Sequence, residues 1–276
     1  MTTLWIHAWS RPRRILAGTL LAVSGLGVPL LFAAVVLAVD PPVTPPVLLR
    51  LFLLQIAAPA LAAAAVRRAS RAELEVGAAV VTILTAGQRI EVPRDAIVAL
   101  EPWRVPLPGP ALAVRLRSGR RLAWGLEARD PDALLDALGV AGPPRPHPTV
   151  RWAHARAARV PGRWWRVLAR YPLFALPFAA LFFYTHQHIA YGGFFGQWNL
   201  QGLFPWLSTL LEYWTTVLVY FLLWGGCCRG AAEAVAWLVA AVTPAHAARG
   251  RRGAERVDAV AYFGGIAAFT ALRYLA

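Results

Sequence analysis

Apolar residues fall along this chain in two regimes: long unbroken runs, and short bursts that partly alternate with polar positions. Residues 15–39, ILAGTLLAVSGLGVPLLFAAVVLAV, carry no charge, and about 20 apolar residues suffice to cross a bilayer as a helix. A second run covers 47–66, interrupted by Arg50, Gln55 and Pro59. The third and fourth occupy 171–190 and 204–226, joined by the uncharged stretch YGGFFGQWNLQGL, and a fifth occupies 257–275. The first run follows Arg11, Arg13 and Arg14 as a signal peptide would. It is longer than the roughly 7–15 apolar residues of such a leader, and a second run follows at once.

Between the second and third runs the period changes. ELEV, AVVTILT, QRIEVP, ALAVRLRSG and RRLAWGLE are short and rich in Val, Ile and Leu, with turn signals at Ala86–Gly87 and Ser118–Gly119. Such bursts predict antiparallel strands. DPDALLDALG, 130–139, predicts a helix capped by Asp130, opened by Pro131, with Leu134, Leu135 and Leu138 on one face and Gly139 as its stop. The proline-rich PWRVPLPGP, 102–110, reads as a loop between two strands.

Composition changes the picture by naming the solvent. The chain is 58% hydrophobic with mean hydropathy +0.50, against about 45–50% apolar residues in ordinary soluble domains. All 28 basic residues are arginine and none is lysine. With abundant Ala, Gly and Pro, that bias reads as the coding of a GC-rich bacterial genome. Arginines flank the first two runs on their outer sides, while the connection DPPVTPP, 40–46, has none. Because positive residues stay in the cytoplasm, residues 1–14 are expected there and the first two spans form an in–out–in hairpin.

The same rule puts the 191–203 connection outside and 227–256 inside, as a helical extension of the fourth span plus a basic loop. The 231–243 segment within it is apolar but short, with arginine on both sides. Five spans, N-terminus in and C-terminus out, leave 26 of the 28 arginines inside, all but Arg50 and Arg273.

Two membrane helices followed by strands carrying RIEVPRDAI and RLRSGRRLAWGL, then DPDALLDAL, resemble the bacterial pleckstrin-homology-like membrane proteins. The resemblance covers residues 15–140 and lies in layout, since that family has no invariant catalytic motif. It implies a cytoplasmic β-rich pleckstrin-homology-like domain over 70–140 that follows the helical hairpin and ends in one helix. The resemblance also implies an interaction module and no active site. With the apolar runs above, the expected fold class is an α-helical polytopic membrane protein of about five transmembrane helices with that domain inserted.

Residues 141–170 form a Pro/Arg/Trp-rich juxtamembrane linker. Its end, Arg163, Trp164, Trp165 and Arg166, is the basic, Trp-bearing kind of segment that sits on anionic lipid; its juxtamembrane position weighs against nucleic acid. Arg115, Arg117, Arg120 and Arg121 surround the Ser118–Gly119 turn and are a second candidate for contact with inner-leaflet headgroups.

Polar residues inside spans are costly, so they are candidates for function. Arg50, Gln55, Tyr184, His188, Glu212 and Thr215 form the candidate intramembrane site, in which His188 and Tyr184 would face Glu212. His186 and His188 are weak candidates for a metal, because residues two apart on a helix point nearly opposite ways. The two cysteines, Cys227 and Cys228, are adjacent and fit neither a disulfide framework nor a zinc pattern. GxSxG, HExxH, Walker A and GxGxxG motifs are absent, and no cofactor is implied. The expected function is a non-catalytic inner-membrane protein with membrane lipids and a protein partner or second copy as its contacts. The rival is a small transporter or membrane enzyme working through Glu212 and His188.

Overall fold

A computed structural model describes residues 2–37, 43–103, 105, 107–128, 130–140, 147–157 and 164–275. In chain order its elements begin with β1 (Thr2–Ser10), α1 (Arg11–Val36) and α2 (Pro45–Ala69). Six further strands follow: β2 (Arg71–Val76), β3 (Val80–Thr85), β4 (Gln88–Pro93), β5 (Ile97–Pro102), β6 (Leu112–Leu116) and β7 (Arg121–Ala128). Then come α3 (Pro131–Leu138), α4 (Pro148–Ala157), α5 (Trp164–Tyr191), α6 (Gly196–Gln201), α7 (Leu203–Val242) and α8 (Ala247–Leu275).

Among the described residues four helices, α1, α2, α5 and α7, are long and apolar enough to cross a membrane. Only 17% of the most apolar window is buried within the protein for each of the first three, and 22% for α7. Apolar side chains exposed in such numbers are the mark of a membrane-associated protein or a large docking surface. The expected span 257–275 is the C-terminal part of α8, which is not among these four. Prolines mark the irregular stretches. Phe52–Ala57 in α2 and Ala169–Leu173 in α5 are π-helical, where Pro59 and Pro172 remove backbone donors and crowd the preceding turn.

The chain divides into two compact units. The first comprises residues 1–25, 57–160 and 230–257, the second 26–56, 161–229 and 258–276.

The first unit is built on one antiparallel sheet, ordered β4-β3-β2-β1-β7-β6-β5. Its surprise is β1. Residues 2–10 lie inside the expected N-terminal flank, 1–14, yet they form the central strand. They pair with β2 on one side (Leu4↔Leu74, Ile6↔Ala72) and β7 on the other (Ile6↔Ala128, Ser10↔Trp124). Ile6 and Ala8 face the core with Leu74, Val81, Ile83, Leu100, Leu112, Val114 and Leu126. Helix α3 closes that core with Leu134 and Leu138. Its ends follow the sequence reading: the Asp130 carboxylate accepts from Asp132 N at 3.0 Å, and Gly139 takes φ +65°.

Helices α1 and α2 are therefore an insertion between two neighbouring strands. The chain leaves the sheet at Ser10 and returns at Arg71, where Ala8 N donates to Ser70 O at 2.8 Å. The opposite edge of β2 is five residues away, about 17 Å at strand rise. There Arg94 N donates to Ala79 O at 2.9 Å.

In the same unit, α4 and the adjoining ends of α7 and α8 meet through small residues. Ala153, Ala232, Ala236, Ala240, Ala247 and Ala254 pack around Trp152. The expected extension of the fourth helix is continuous, since α7 runs unbroken for 40 residues, about 60 Å at helical rise.

The second unit packs aromatic residues. Ala175, Ala179, Val217, Phe221, Tyr262 and Ile266 form one core cluster, and Leu31, Leu48, Ile56, Val219 and Leu223 another. Gly225 allows this closeness: a Cβ there would stand 2.8 Å from the Tyr171 ring.

Candidate functional site

The residues proposed as an intramembrane polar site do not gather. Arg50, Gln55, Tyr184, His188 and Glu212 are all exposed on their helices. Tyr184 and His188 do meet, with ring centroids 4.0 Å apart, and His188 Nδ1 lies 3.0 Å from Tyr184 O. Thr215 donates to the carbonyl of Glu212 at 3.0 Å, an ordinary contact within one helix. Among the described residues neither Arg50 nor Glu212 forms an ion pair. His186 turns instead toward Tyr191 and Tyr213, so the two histidines do not converge on one ion.

The buried polar residue of that segment is the one between the histidines. Gln187 is fully buried, and its Nε2 donates to Gln197 Oε1 at 2.7 Å. Gln197 in turn donates to Thr209 Oγ1 at 3.1 Å and Gln201 Oε1 at 3.2 Å. Trp206 Nε1 donates to Phe194 O at 3.0 Å beside them. This network ties α5, α6 and the start of α7 into one knot. Helical geometry could have found it, because Gln187 lies four residues after the fully buried Phe183 and so shares its face.

The second buried polar group joins α5 to α8. Arg170 donates twice to Asp258, at 3.1 and 3.3 Å, and Asp258 is 4% exposed. Tyr262 donates to Arg170 O at 2.8 Å, and the guanidinium lies 4.3 Å from the Tyr262 ring centroid. Cys228 is buried and Cys227 half-buried in the same unit, both as free thiols.

In the sheet unit, Glu127 is the anchor. It is 5% exposed, accepts from Trp9 Nε1 at 2.8 Å, and pairs with Arg67 at 2.6 Å. This ties the end of α2 to β1 and β7. Arg14 covers Trp103, 3.8 Å from its ring, and Gly109 approaches the Glu127 carboxylate so closely that a Cβ would collide with it. His7 lies opposite Glu127. Burial, and then the Arg67 cation, push its imidazole below the ordinary value, against the pull of Glu127. A second buried group holds the helices of this unit: Arg251 donates twice to Glu233 at 2.8 Å and once to Glu255 at 3.1 Å.

Three of the four turn arginines are less free than their sequence suggests. Arg115 and Arg121 both pair with Glu101, at 3.1 and 2.5 Å, and Arg117 lies 3.9 Å from Asp95. Burial pushes the Glu101 carboxyl up, but its hydrogen bonds and charge contacts with Arg121 and Arg115 outweigh that and hold it below the usual range. The hydrogen bond from Arg117 N to Ala96 O, at 2.8 Å, closes the base of this turn.

The Trp-bearing start of α5 keeps its promise of exposure. Trp164 is 74% and Trp165 48% exposed, and Arg166 lies 5.6 Å from the Trp165 ring. Arg163 lies outside the described residues. The donor set best placed for a cation is Asp130, Asp132 and His154, three exposed groups whose donor atoms lie within 4.8 Å of one another. His154 Nδ1 is 2.9 Å from Asp132 Oδ2, so this contact links the first turn of α3 to α4.

No family model, curated protein or solved structure matches this chain.

Proposed function

We propose that this chain is a non-catalytic, multi-pass protein of the bacterial inner membrane, whose cytoplasmic pleckstrin-homology-like sheet unit is an interaction or regulatory module held at the lipid surface. The observation that carries this reading is the pairing of β1 with β2 across the helical insertion. Strands that share hydrogen bonds lie on one side of a membrane, so the insertion between them crosses an even number of times. Helices α1 and α2 supply two crossings of suitable length. The arginines at their outer flanks then favour the cytoplasm for that side.

Seven antiparallel strands closed by α3 support the pleckstrin-homology-like layout. Lipid contact is assigned to Trp164, Trp165 and Arg166, whose exposure suits the headgroup region. The C-terminal part of α8, from Asp258, is the fifth span of this reading; Asp258 and Tyr262 hold it against α5.

Topology reporters fused after residues 43, 140, 193 and 276 test the arrangement. The expected pattern is cytoplasmic activity at 140 alone. A reporter at 140 that is active only outside the cytoplasm would falsify it.

A further inference from the structure

Arginines outnumber acidic residues two to one in this chain, 28 against 14. Seven acidic side chains, Glu91, Asp95, Glu101, Glu127, Glu233, Glu255 and Asp258, each face an arginine. Among the described residues Glu73, Glu75, Asp136 and Glu212 have no ion-pair partner, and of these Glu73 and Glu75 share one strand and one face of it.

Both sit on β2 and point to the sheet face away from the core, as the burial alternation of that strand requires. Trp5 stands directly opposite Glu73 on β1, and Thr3 opposite Glu75. Trp5 is 75% exposed, on the most central strand of the sheet. Of the nearby cations, Arg89 is held by Glu91 at 2.8 Å, and Arg71, two pairs further along the ladder on the same face, lies level with His7 and forms no ion pair with either glutamate.

We infer that the outer face of β1 and β2, centred on Trp5, Glu73 and Glu75, is a docking site for an arginine-bearing segment of a partner polypeptide. A guanidinium can stack on an indole face while its N–H groups reach a carboxylate, and this pairing gains most where water is excluded. Trp5 and Glu73 are cross-strand neighbours, with Cβ atoms about 5 Å apart, so one guanidinium can touch both. The same charge argues against the other occupants of an exposed tryptophan. Anionic headgroups and nucleic-acid phosphates would meet two uncompensated carboxylates there.

The test uses the full chain in zwitterionic detergent and a fluorescein-labelled peptide of alternating arginine and glycine, read by anisotropy. Saturable binding is expected, weakening as salt rises. Trp5→Thr and, separately, the double change Glu73→Gln with Glu75→Gln should each weaken it at least tenfold. These side chains project from the outer face, so thermal melts should stay close to the parent and separate lost binding from lost fold. Wild-type affinity in either variant overturns the assignment, as does the absence of saturable binding. Equal binding of a matched glutamate–glycine peptide overturns it too.

Discussion

At the scale of single residues, the groups that organise this molecule are not the ones that stand out as chemistry. His186 and His188 draw the eye, but Gln187 between them holds α5, α6 and α7 together. Gln187→Leu would strand the Gln197 amide in a buried place. An unmade buried hydrogen bond costs about 1–3 kcal/mol, so this variant should melt several degrees below its parent in detergent. His188→Ala removes an exposed ring and should shift the melt far less. The pH dependence belongs to His7. Its folded-state pKa lies below the ordinary 6.5, so the unfolded chain binds a proton that the folded chain does not. Stability is therefore unaffected above that value, falls as pH drops through 6.5, and levels off below the folded pKa. Melts taken from about pH 8 down to about pH 5 should show this loss in the parent and less of it in His7→Gln.

At the scale of elements, legibility followed period and length. The apolar runs were readable because a span needs length and little else. Helix α3 was readable from its caps, Asp130 and Gly139. Strand β1 was hidden although Leu4, Ile6 and Ala8 alternate with Thr3, Trp5 and His7. Three arginines follow it, and they make the segment look like a membrane flank. Nothing local could say that its partners were β2, beyond a 60-residue insertion, and β7 near the end of the sheet. The dispersed polar site failed for a related reason. Periodicity assigns a residue to a face of its own helix, and whether two such faces meet is set by packing. Because β1 is hydrogen-bonded on both sides, its loss should split the sheet. Deleting residues 2–10 should make the 70–140 region protease-sensitive while the spans still enter the membrane. A sheet that stays protease-resistant without those residues would mean that β1 is dispensable.

At the scale of the whole molecule, the sheet and the first two spans are interleaved in sequence, so neither is complete without the other. The sheet cannot close until α1 and α2 have carried the chain out from Ser10 and back to Arg71. What then holds the two ends together is the β1–β2 ladder, the Trp9–Glu127–Arg67 contacts and the core around Ile6 and Ala8. None of these needs the covalent connection between the helices. A chain cut at residue 42 and expressed as fragments 1–42 and 43–276 should therefore reassemble and copurify in mild detergent. The same pair with Glu127→Ala should copurify less well, because the change leaves Arg67 and the Trp9 indole without their buried acceptor. Breaking a buried ion pair costs about 3–5 kcal/mol, and the partial exposure of Arg67, 41%, puts this case at or below the lower end. Fragments that insert but never associate would show that the ladder is too weak to join the two sides. The even crossing number would then lose its structural basis.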